Sequence, residues 1–178
     1  MRSNSQRFPS RRRPARIIVP FALAALALTG TSTRVESQRA HPSAERAAVD
    51  SVISGLFDAM RKGDSAAVRR AFHPRATLSS ASLSREGVPQ LTFDAVEGFV
   101  KAVGTPHPEI WDERIHEPVT QVDANMAVVW APYTFYLGAV LSHCGTNAFQ
   151  LAKDAEGWRI ISLVDTRRRT GCRAGGPT

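Results

Sequence analysis

The sequence lacks the motifs that indicate common catalytic or metal sites. It has no glycine-rich phosphate-binding loop and no nucleophile elbow. Its five histidines and two cysteines are scattered, and neither they nor the acidic residues have the spacing of metal ligands. We therefore expect no metal and no cofactor. Internal repeats and low-complexity tracts are also missing, so 178 residues suggest one domain with an appendage.

Net charge is missing from most of the chain. The sequence carries 23 Lys and Arg against 16 Asp and Glu, but residues 1–40 hold eight of the arginines and one glutamate. Residues 41–178 therefore have 15 basic and 15 acidic residues. Because nucleic-acid binding needs a basic surface on the domain itself, we expect no nucleic-acid partner.

The N-terminal segment also lacks an apolar run of the roughly 20 residues that span a membrane. Six arginines precede a 12-residue apolar stretch at residues 17–28, and small residues follow. This pattern predicts an export signal within residues 1–40, cleaved somewhere in residues 30–40. The mature domain, residues 41–178, would be periplasmic or extracellular, with membrane contact only through the signal. An uncleaved N-terminal anchor is the alternative.

Apolar residues then recur at helical spacing, with Val49, Ile53, Leu56 and Met60 on one face and Gly63 as a stop. A second helix is predicted over residues 65–72, capped by Asp64.

After the second helix, His73-Pro74 is a helix stop, and residues 76–93 form a hairpin-like region. A third helix follows, and Asp94 and Glu97 have the form of a capping box at its start.

The C-terminal half is rich in β-branched and aromatic residues. It predicts strands over residues 126–137, 141–153 and 157–168, after a strand at residues 111–122 in which Pro118 marks an edge or bulge. The connections are too short for parallel crossovers, and Gly138-Ala139 fits a two-residue type II′ turn. Helices followed by strands indicate an α+β fold, with three helices packed on one face of a curved antiparallel sheet.

That order resembles the nuclear-transport-factor-2-like superfamily, over about residues 45–172. More narrowly, the chain is similar to exported bacterial proteins called lumazine-binding-like or SnoaL-like. The residues that carry this resemblance are the runs Val128–Tyr133, Phe135-Tyr136, Ser142–Gly145, Gly157–Ile160 and Asp165–Arg168. The resemblance implies a cone-shaped fold that hosts isomerases, dehydratases and binding modules alike, so the fold does not choose the function.

Strand parity suggests which face lines the cone. If Leu137 pairs with Val140, directly opposed residues share a face. That register sets Trp130 opposite Asn147 and Thr134 opposite His143, while a second turn sets Ser162 opposite Phe149. The predicted ligand-binding residues are Trp130, Thr134, Tyr136, His143, Asn147 and Ser162. The opposite face is also apolar, and a homodimer is its simplest cover.

His143 is the candidate catalytic residue, because an imidazole in an apolar cone can act as acid or base near neutral pH. The alternative is a neutral, structural histidine. The same parity sets Asp165 on the other face, opposite Thr146, where it would pair with Arg167 or a backbone amide.

Cys144 and Cys172 are the only cysteines. In an exported protein an even pair predicts a disulfide, with Cys144 opposite Arg167 and the C-terminal tail folded back. A reactive thiol is the alternative.

The first hypothesis for function is an exported protein that binds a small hydrophobic or aromatic molecule without catalysis. A small-molecule isomerase or dehydratase that uses His143 is the second. A structural or interaction module with a filled cone is the third.

Overall fold

The computed structural model describes residues 42–174, and the predicted export signal at residues 1–40 lies outside the described residues. The helices are α1 (Pro42–Lys62), α2 (Ser65–Ala71) and α3 (Val96–Gly104). None of these three is long and apolar enough to cross a membrane. The strands are β1 (Phe72–Leu83), β2 (Pro89–Asp94), β3 (Trp111–Ile115), β4 (Val119–Asp123), β5 (Met126–Leu137), β6 (Val140–Asp154) and β7 (Gly157–Arg167).

Helix α1 forms where the apolar stripe predicts it. The predicted stripe residues are all at most 3% exposed and pack in the core: Val49, Ile53, Leu56 and Met60. Gly63 ends the helix with φ +69°, a left-handed conformation that glycine adopts without strain. The Gly63 and Asp64 amides donate to carbonyls of the last turn, at 3.1 and 2.9 Å, in a Schellman arrangement.

The short helices start differently from each other. Asp64 caps α2 as predicted, since its Oδ1 accepts a hydrogen bond from the Ala67 amide at 2.9 Å. The predicted capping box at α3 is wrong: the N-cap is Ala95, which makes no side-chain cap hydrogen bond. Asp94 instead ends β2, where strand pairing with Leu78 holds it.

The helices lie against one face of a seven-stranded curved sheet, which confirms the predicted α+β architecture. The strand order is β2-β1-β7-β6-β5-β3, and β4 also pairs with β5. All neighbours are antiparallel except β1 and β7, which are parallel, so the sheet is mixed and not wholly antiparallel as predicted. The parallel pair is possible because most of the domain lies between the two strands in sequence.

Two predicted elements have different bounds. Strand β1 begins at Phe72 and continues through His73 and Pro74, so Pro74 lies in a strand. The strand predicted over residues 111–122 is divided into β3 and β4 on either side of Pro118. Glu117 there has φ +47°, and both halves pair with β5 in succession.

The register of the long strands departs from simple alternation at two places. Leu137 pairs with Val140 as predicted, but Ser142 is an extra residue, so Phe135 pairs with His143. Ile161 is likewise extra in β7. Each β-bulge shifts the pairing by one residue, so the residues that follow it share a face with different residues of the partner strand than simple alternation predicts.

The predicted pairings beyond these bulges are therefore wrong. Trp130 pairs with Ala148, and Thr134 pairs with Cys144. Ser162 pairs with Gln150.

Candidate functional site

A cavity of about 450 Å³ lies between the helices and the sheet. Residues of α1, α3 and the sheet line it, and most of the wall is apolar. The large apolar contributors include Phe57, Leu78, Phe99, Trp111, Phe135 and Leu163. A cavity of this size and composition suits a small organic molecule.

Four strands contribute most of the polar wall, which includes Ser80, Glu113, His143, Asn147, Asp165 and Arg167. Strand register explains why these side chains meet. Phe135 pairs with Glu113 on one side and with His143 on the other. Asn147 pairs with Asp165. Because directly paired residues share a face of the sheet, these two rows bring their polar groups to the cavity together.

Glu113 is the least compensated acid inside the cavity. Its Oε1 accepts a hydrogen bond from Nδ2 of Asn147 at 2.7 Å. The side chain is only partly exposed, and the surface that it keeps lines the cavity. Burial raises the pKa of Glu113 to about 7, and the negative charge of Asp165 adds to the increase. Glu113 can therefore gain or lose a proton near neutral pH.

Asp165, unlike Glu113, is surrounded by hydrogen-bond donors. Its Oδ1 accepts from the Ser80 hydroxyl, and its Oδ2 accepts from Tyr133 Oη at 3.2 Å and from Arg167 Nε at 2.7 Å. Burial raises the pKa of Tyr133, which keeps this phenol protonated as a donor. Three donors, one of them cationic, suit an ionised carboxylate.

His143 lines the same cavity beside Phe135, whose ring centroid is 4.9 Å from that of the imidazole. Its Nδ1 lies 3.1 Å from the Ser142 hydroxyl. Burial lowers the pKa of His143, and the positive charge of Arg167 lowers it further. His143 therefore favours its neutral form.

Residues 44–164 match the protein family described as "Putative lumazine-binding". The chain belongs to this family. No protein with a curated description matches the sequence of this lumazine-binding-like domain.

Solved structures share the fold of the lumazine-binding-like domain. An NTF2-like protein of unknown function from Shewanella baltica is 21% identical, with a TM-score of 0.52; the match covers 70% of this chain and 94% of the other. An NTF-2 like protein of unknown function from Silicibacter pomeroyi is 18% identical, with a TM-score of 0.54 and coverages of 72% and 99%.

A protein from Streptomyces avermitilis described as a "putative dehydratase from the NTF2-like family" is 12% identical, with a TM-score of 0.54 and coverages of 72% and 99%. These three likenesses show the nuclear-transport-factor-2-like fold of the lumazine-binding-like domain, and at such identities they show the fold alone.

The structure brings two of the predicted site residues to the cavity, His143 and Asn147. Their roles stay predictions. The other four lie on the opposite face of the sheet, because each bulge reverses the parity on which they were chosen: Trp130, Thr134, Tyr136 and Ser162.

Each of these four has other surroundings. Trp130 is 57% exposed, and Thr134 is fully buried under the C-terminal tail, where it donates to the Arg173 carbonyl at 2.8 Å. The Arg114 guanidinium lies 4.5 Å from the centroid of the Tyr136 ring. Ser162 accepts a hydrogen bond from Thr77 at 3.3 Å.

Asp165 is on the cavity face, opposite Asn147, so its predicted position opposite Thr146 is wrong. Its predicted pairing with Arg167 is confirmed.

Glu113 is the residue that sequence reasoning missed. On β3, Glu113 shares a face with Trp111 and Ile115, which are partly buried against the core. A glutamate between two large apolar residues on one strand face is a detectable signal, because a surface-facing glutamate rarely shares its face with such neighbours.

No group of three or more His, Cys, Asp or Glu side chains within residues 42–174 could hold a metal ion. The polar wall of the cavity offers hydrogen bonds and charge beside an apolar surface, a combination that suits an organic ligand.

A disulfide joins Cys144 to Cys172, with 5.5 Å between the Cα atoms. The backbone groups of Cys144 and Arg168 exchange two hydrogen bonds of 2.9 Å, so Arg168, one residue later than predicted, lies opposite Cys144. This C-terminal tail lies on the sheet face away from the cavity, because Cys144 alternates with His143 along β6.

Proposed function

We propose that this domain binds a small, mainly apolar molecule in the cavity between helices and sheet, without catalysis. The observation that carries the proposal is the cavity of about 450 Å³ with an apolar wall and one cluster of polar groups. A structural module with a filled cone would offer no such volume. The polar cluster would fix the orientation of the ligand, and the apolar wall would supply most of the binding free energy.

The test is native mass spectrometry of the protein purified from its own host, with two matched glycine variants. A Cβ added at Gly98 or at Gly55 would have no heavy atom within 4 Å. Gly98 lines the cavity, whereas Gly55 lies on α1 away from it. We expect an adduct of a few hundred daltons on the wild type and on Gly55→Phe, and much less on Gly98→Phe. Equal adducts on both variants would refute binding in this cavity.

A second candidate is proton transfer on the bound molecule, as in an isomerase or dehydratase. Glu113 and His143 favour it, because both line the cavity and the pKa of Glu113, at about 7, suits a general acid or base at neutral pH. The similar Streptomyces avermitilis protein described as a putative dehydratase is consistent with such chemistry on this fold.

Deuterium exchange separates binding from proton transfer. The molecule recovered from the host protein is returned to the protein in heavy water and followed by mass. A binder leaves its carbon-bound hydrogens in place. An enzyme replaces at least one of them by deuterium, and we expect Glu113→Gln and His143→Ala to slow this exchange about a hundredfold or more.

We also propose that the protein is exported and acts in an oxidising compartment. Support comes from the arginine-rich, apolar N-terminal sequence and from the Cys144–Cys172 disulfide. The intact mass of protein isolated from the host tests this proposal, because signal cleavage within residues 30–40 removes a defined mass. A full-length mass with two free thiols would contradict export.

We further propose that a second copy of the chain covers the outer face of the sheet. A continuous row of paired residues crosses six strands on this face: Phe93, Ser79, Val164, Ala148, Trp130 and Val119. Phe93 is 76% exposed and Trp130 is 57% exposed. The row carries no charge, so a second copy would meet no like-charge repulsion there, and its apolar members would leave water.

Light scattering during size-exclusion chromatography tests the dimer. We expect Trp130→Asp to shift the protein from dimer to monomer without loss of secondary structure. Ile110→Asp is the matched control, because Ile110 has the same 57% exposure and lies outside the row. A wild-type monomer at high concentration, or equal dissociation of both variants, would refute this interface.

A further inference from the structure

Glu113 lies inside the cavity without a cation of its own. Within residues 42–174, its carboxyl group accepts one hydrogen bond, from Asn147, and forms no ion pair. Among the described residues, Arg167 is the only lysine or arginine that lines the cavity, and its Nε donates to Asp165. Two internal acids therefore share one cation, which already has a partner.

Two carboxylates in one apolar cavity with a single cation cannot both be ionised at low cost. The hydrogen bonds decide which acid stays neutral. Asp165 accepts three, including the one from Arg167, whereas Glu113 accepts one. Glu113 is therefore the acid that keeps its proton, and its raised pKa agrees with this assignment.

The position of the proton follows from Asn147. Its Nδ2 donates to Oε1 of Glu113. Because the carbonyl oxygen of a neutral carboxyl group is its stronger acceptor, the proton belongs on Oε2. The neutral acid then has one donor without a partner among the described residues, on a side chain that lines the cavity. A buried donor without an acceptor is costly, and a ligand oxygen can supply the acceptor.

We infer that the cavity selects uncharged ligands that carry a hydrogen-bond acceptor such as a carbonyl oxygen, and that Glu113 recognises this oxygen as a neutral acid. The inference rests on the proposed function, since it describes the ligand of the same cavity. An anionic ligand would face the carboxylate of Asp165. A hydrocarbon would leave the donor of Glu113 unsatisfied.

Binding of such a ligand depends on pH. The other titratable or charged groups that face the cavity are Asp94, His143, Asp165 and Arg167, of which Asp94 is exposed at the end of β2. The walls from α1 and α3 add none. The acceptor bonds only the protonated acid, so affinity falls as Glu113 ionises above about pH 7.

Three naphthalene compounds of one frame test the inference by equilibrium dialysis: 2-acetylnaphthalene as the ketone, 2-naphthoate as the anion and 2-ethylnaphthalene as the hydrocarbon. We expect the ketone to bind about tenfold or more tighter than the other two near pH 6, which is the worth of a good buried hydrogen bond. Near pH 9 that preference should vanish. Glu113→Gln should remove the pH dependence, whereas Asp123→Asn, which changes an exposed acid outside the cavity wall, should leave it.

The outcomes separate this inference from the proposed function. Equal binding of ketone and hydrocarbon at both pH values, or tighter binding of 2-naphthoate, overturns the ligand class and leaves a binding cavity. If none of the three compounds binds, the binding function itself fails and the ligand class fails with it. Infrared spectra need no ligand: the wild type minus Glu113→Gln must show a protonated carboxyl band near pH 6, and its absence overturns the inference.

Discussion

Arg167 donates a hydrogen bond from Nε to Oδ2 of Asp165 at 2.7 Å, two residues earlier on the same strand. Both residues point to the cavity, since alternate residues of β7 share a face. This ion pair sets the charge of the polar wall. It gives Asp165 a cationic partner, it adds positive charge near His143, and it leaves Glu113 without a cation of its own.

Removal of the guanidinium should raise the pKa of His143. The positive charge of Arg167 disfavours the imidazolium form, and in Arg167→Met it is gone while the negative charge of Asp165 remains. An NMR titration of the His143 ring protons in wild type and variant measures the change. Arg168→Met is the control, because Arg168 lies on the other face and should leave the titration unchanged. An unshifted His143 in Arg167→Met would contradict the proposed field in the cavity.

Loss of a donor to Asp165 should cost stability. Ser80 is buried and its hydroxyl donates to Oδ1 of Asp165, so Ser80→Ala leaves a buried acceptor short of one partner. We expect a loss of about 1–2 kcal/mol in the free energy of unfolding, measured by urea titration. Ser79→Ala is the matched control, because Ser79 pairs with Val164 and not with Asp165, and the expected change is within about 0.5 kcal/mol. Equal effects of the two variants would argue against the Ser80–Asp165 bond.

The pH dependence of stability should carry the signature of Glu113. Its pKa is about 7 in the folded protein against 4.5 when unperturbed, so between these values the folded state holds more protons than the unfolded state. The free energy of unfolding should therefore fall as pH rises through this window, by up to about 3 kcal/mol, and should level off above it.

His143 acts in the opposite direction on stability. Its pKa is lowered on folding, so its contribution is lost as pH falls below the unperturbed value. The difference between wild type and Glu113→Gln isolates the carboxyl, because both proteins keep His143. If the two stability curves run parallel from about pH 4.5 to 7, Glu113 does not have a raised pKa.

Most of the elements could be predicted from the sequence, because their signals are local. The apolar stripe of α1, the Asp64 cap and the Gly138 turn depend on neighbouring residues, and β5 has the predicted bounds 126–137. The parallel pairing of β1 with β7 could not be predicted, because the two strands are far apart in sequence and no turn joins them.

The cavity face could not be predicted because β5 is apolar on both faces. Its alternating residues give no polar marker, so the register depended on the Leu137–Val140 turn alone. One extra residue, Ser142, reverses the parity of everything beyond it. His143 and Asn147 both follow the bulge on β6, so they share a face, and that face lines the cavity. Trp130 and Thr134 lie on β5, and their predicted face depended on a pairing with β6 that the bulge shifts by one residue.

Reduction of the disulfide should destabilise the domain and release the tail. The Cys144–Cys172 bridge closes a loop with a sequence separation of 28, which in the chain-entropy picture is worth about 3–4 kcal/mol. Cys172→Ser should show this loss in urea titration, and added reductant should then change nothing further. The wild type in reductant should match Cys172→Ser. A reduced protein as stable as the oxidised one would show that the backbone bonds of Arg168 hold the tail unaided.

Strands β6 and β7 approach each other closely at Gly145, beside the site. A Cβ on Gly145 would lie 1.7 Å from the Thr166 carbonyl oxygen and 2.8 Å from Cε1 of Tyr133. Backbone cannot yield that far without separating the strands, so Gly145→Ala should destabilise the domain by more than about 2 kcal/mol.

The same displacement would move Asp165 and Arg167, which flank Thr166, so ligand binding in the cavity should weaken even where the variant stays folded. Gly55→Ala is the matched control: it lies in open space on α1, where alanine should stabilise the helix by about 0.5–1 kcal/mol. Urea titration of both variants decides. A Gly145→Ala protein as stable as the wild type would mean that β6 and β7 do not meet at this residue. The positions of Asp165 and Arg167 in the polar wall would then also be wrong.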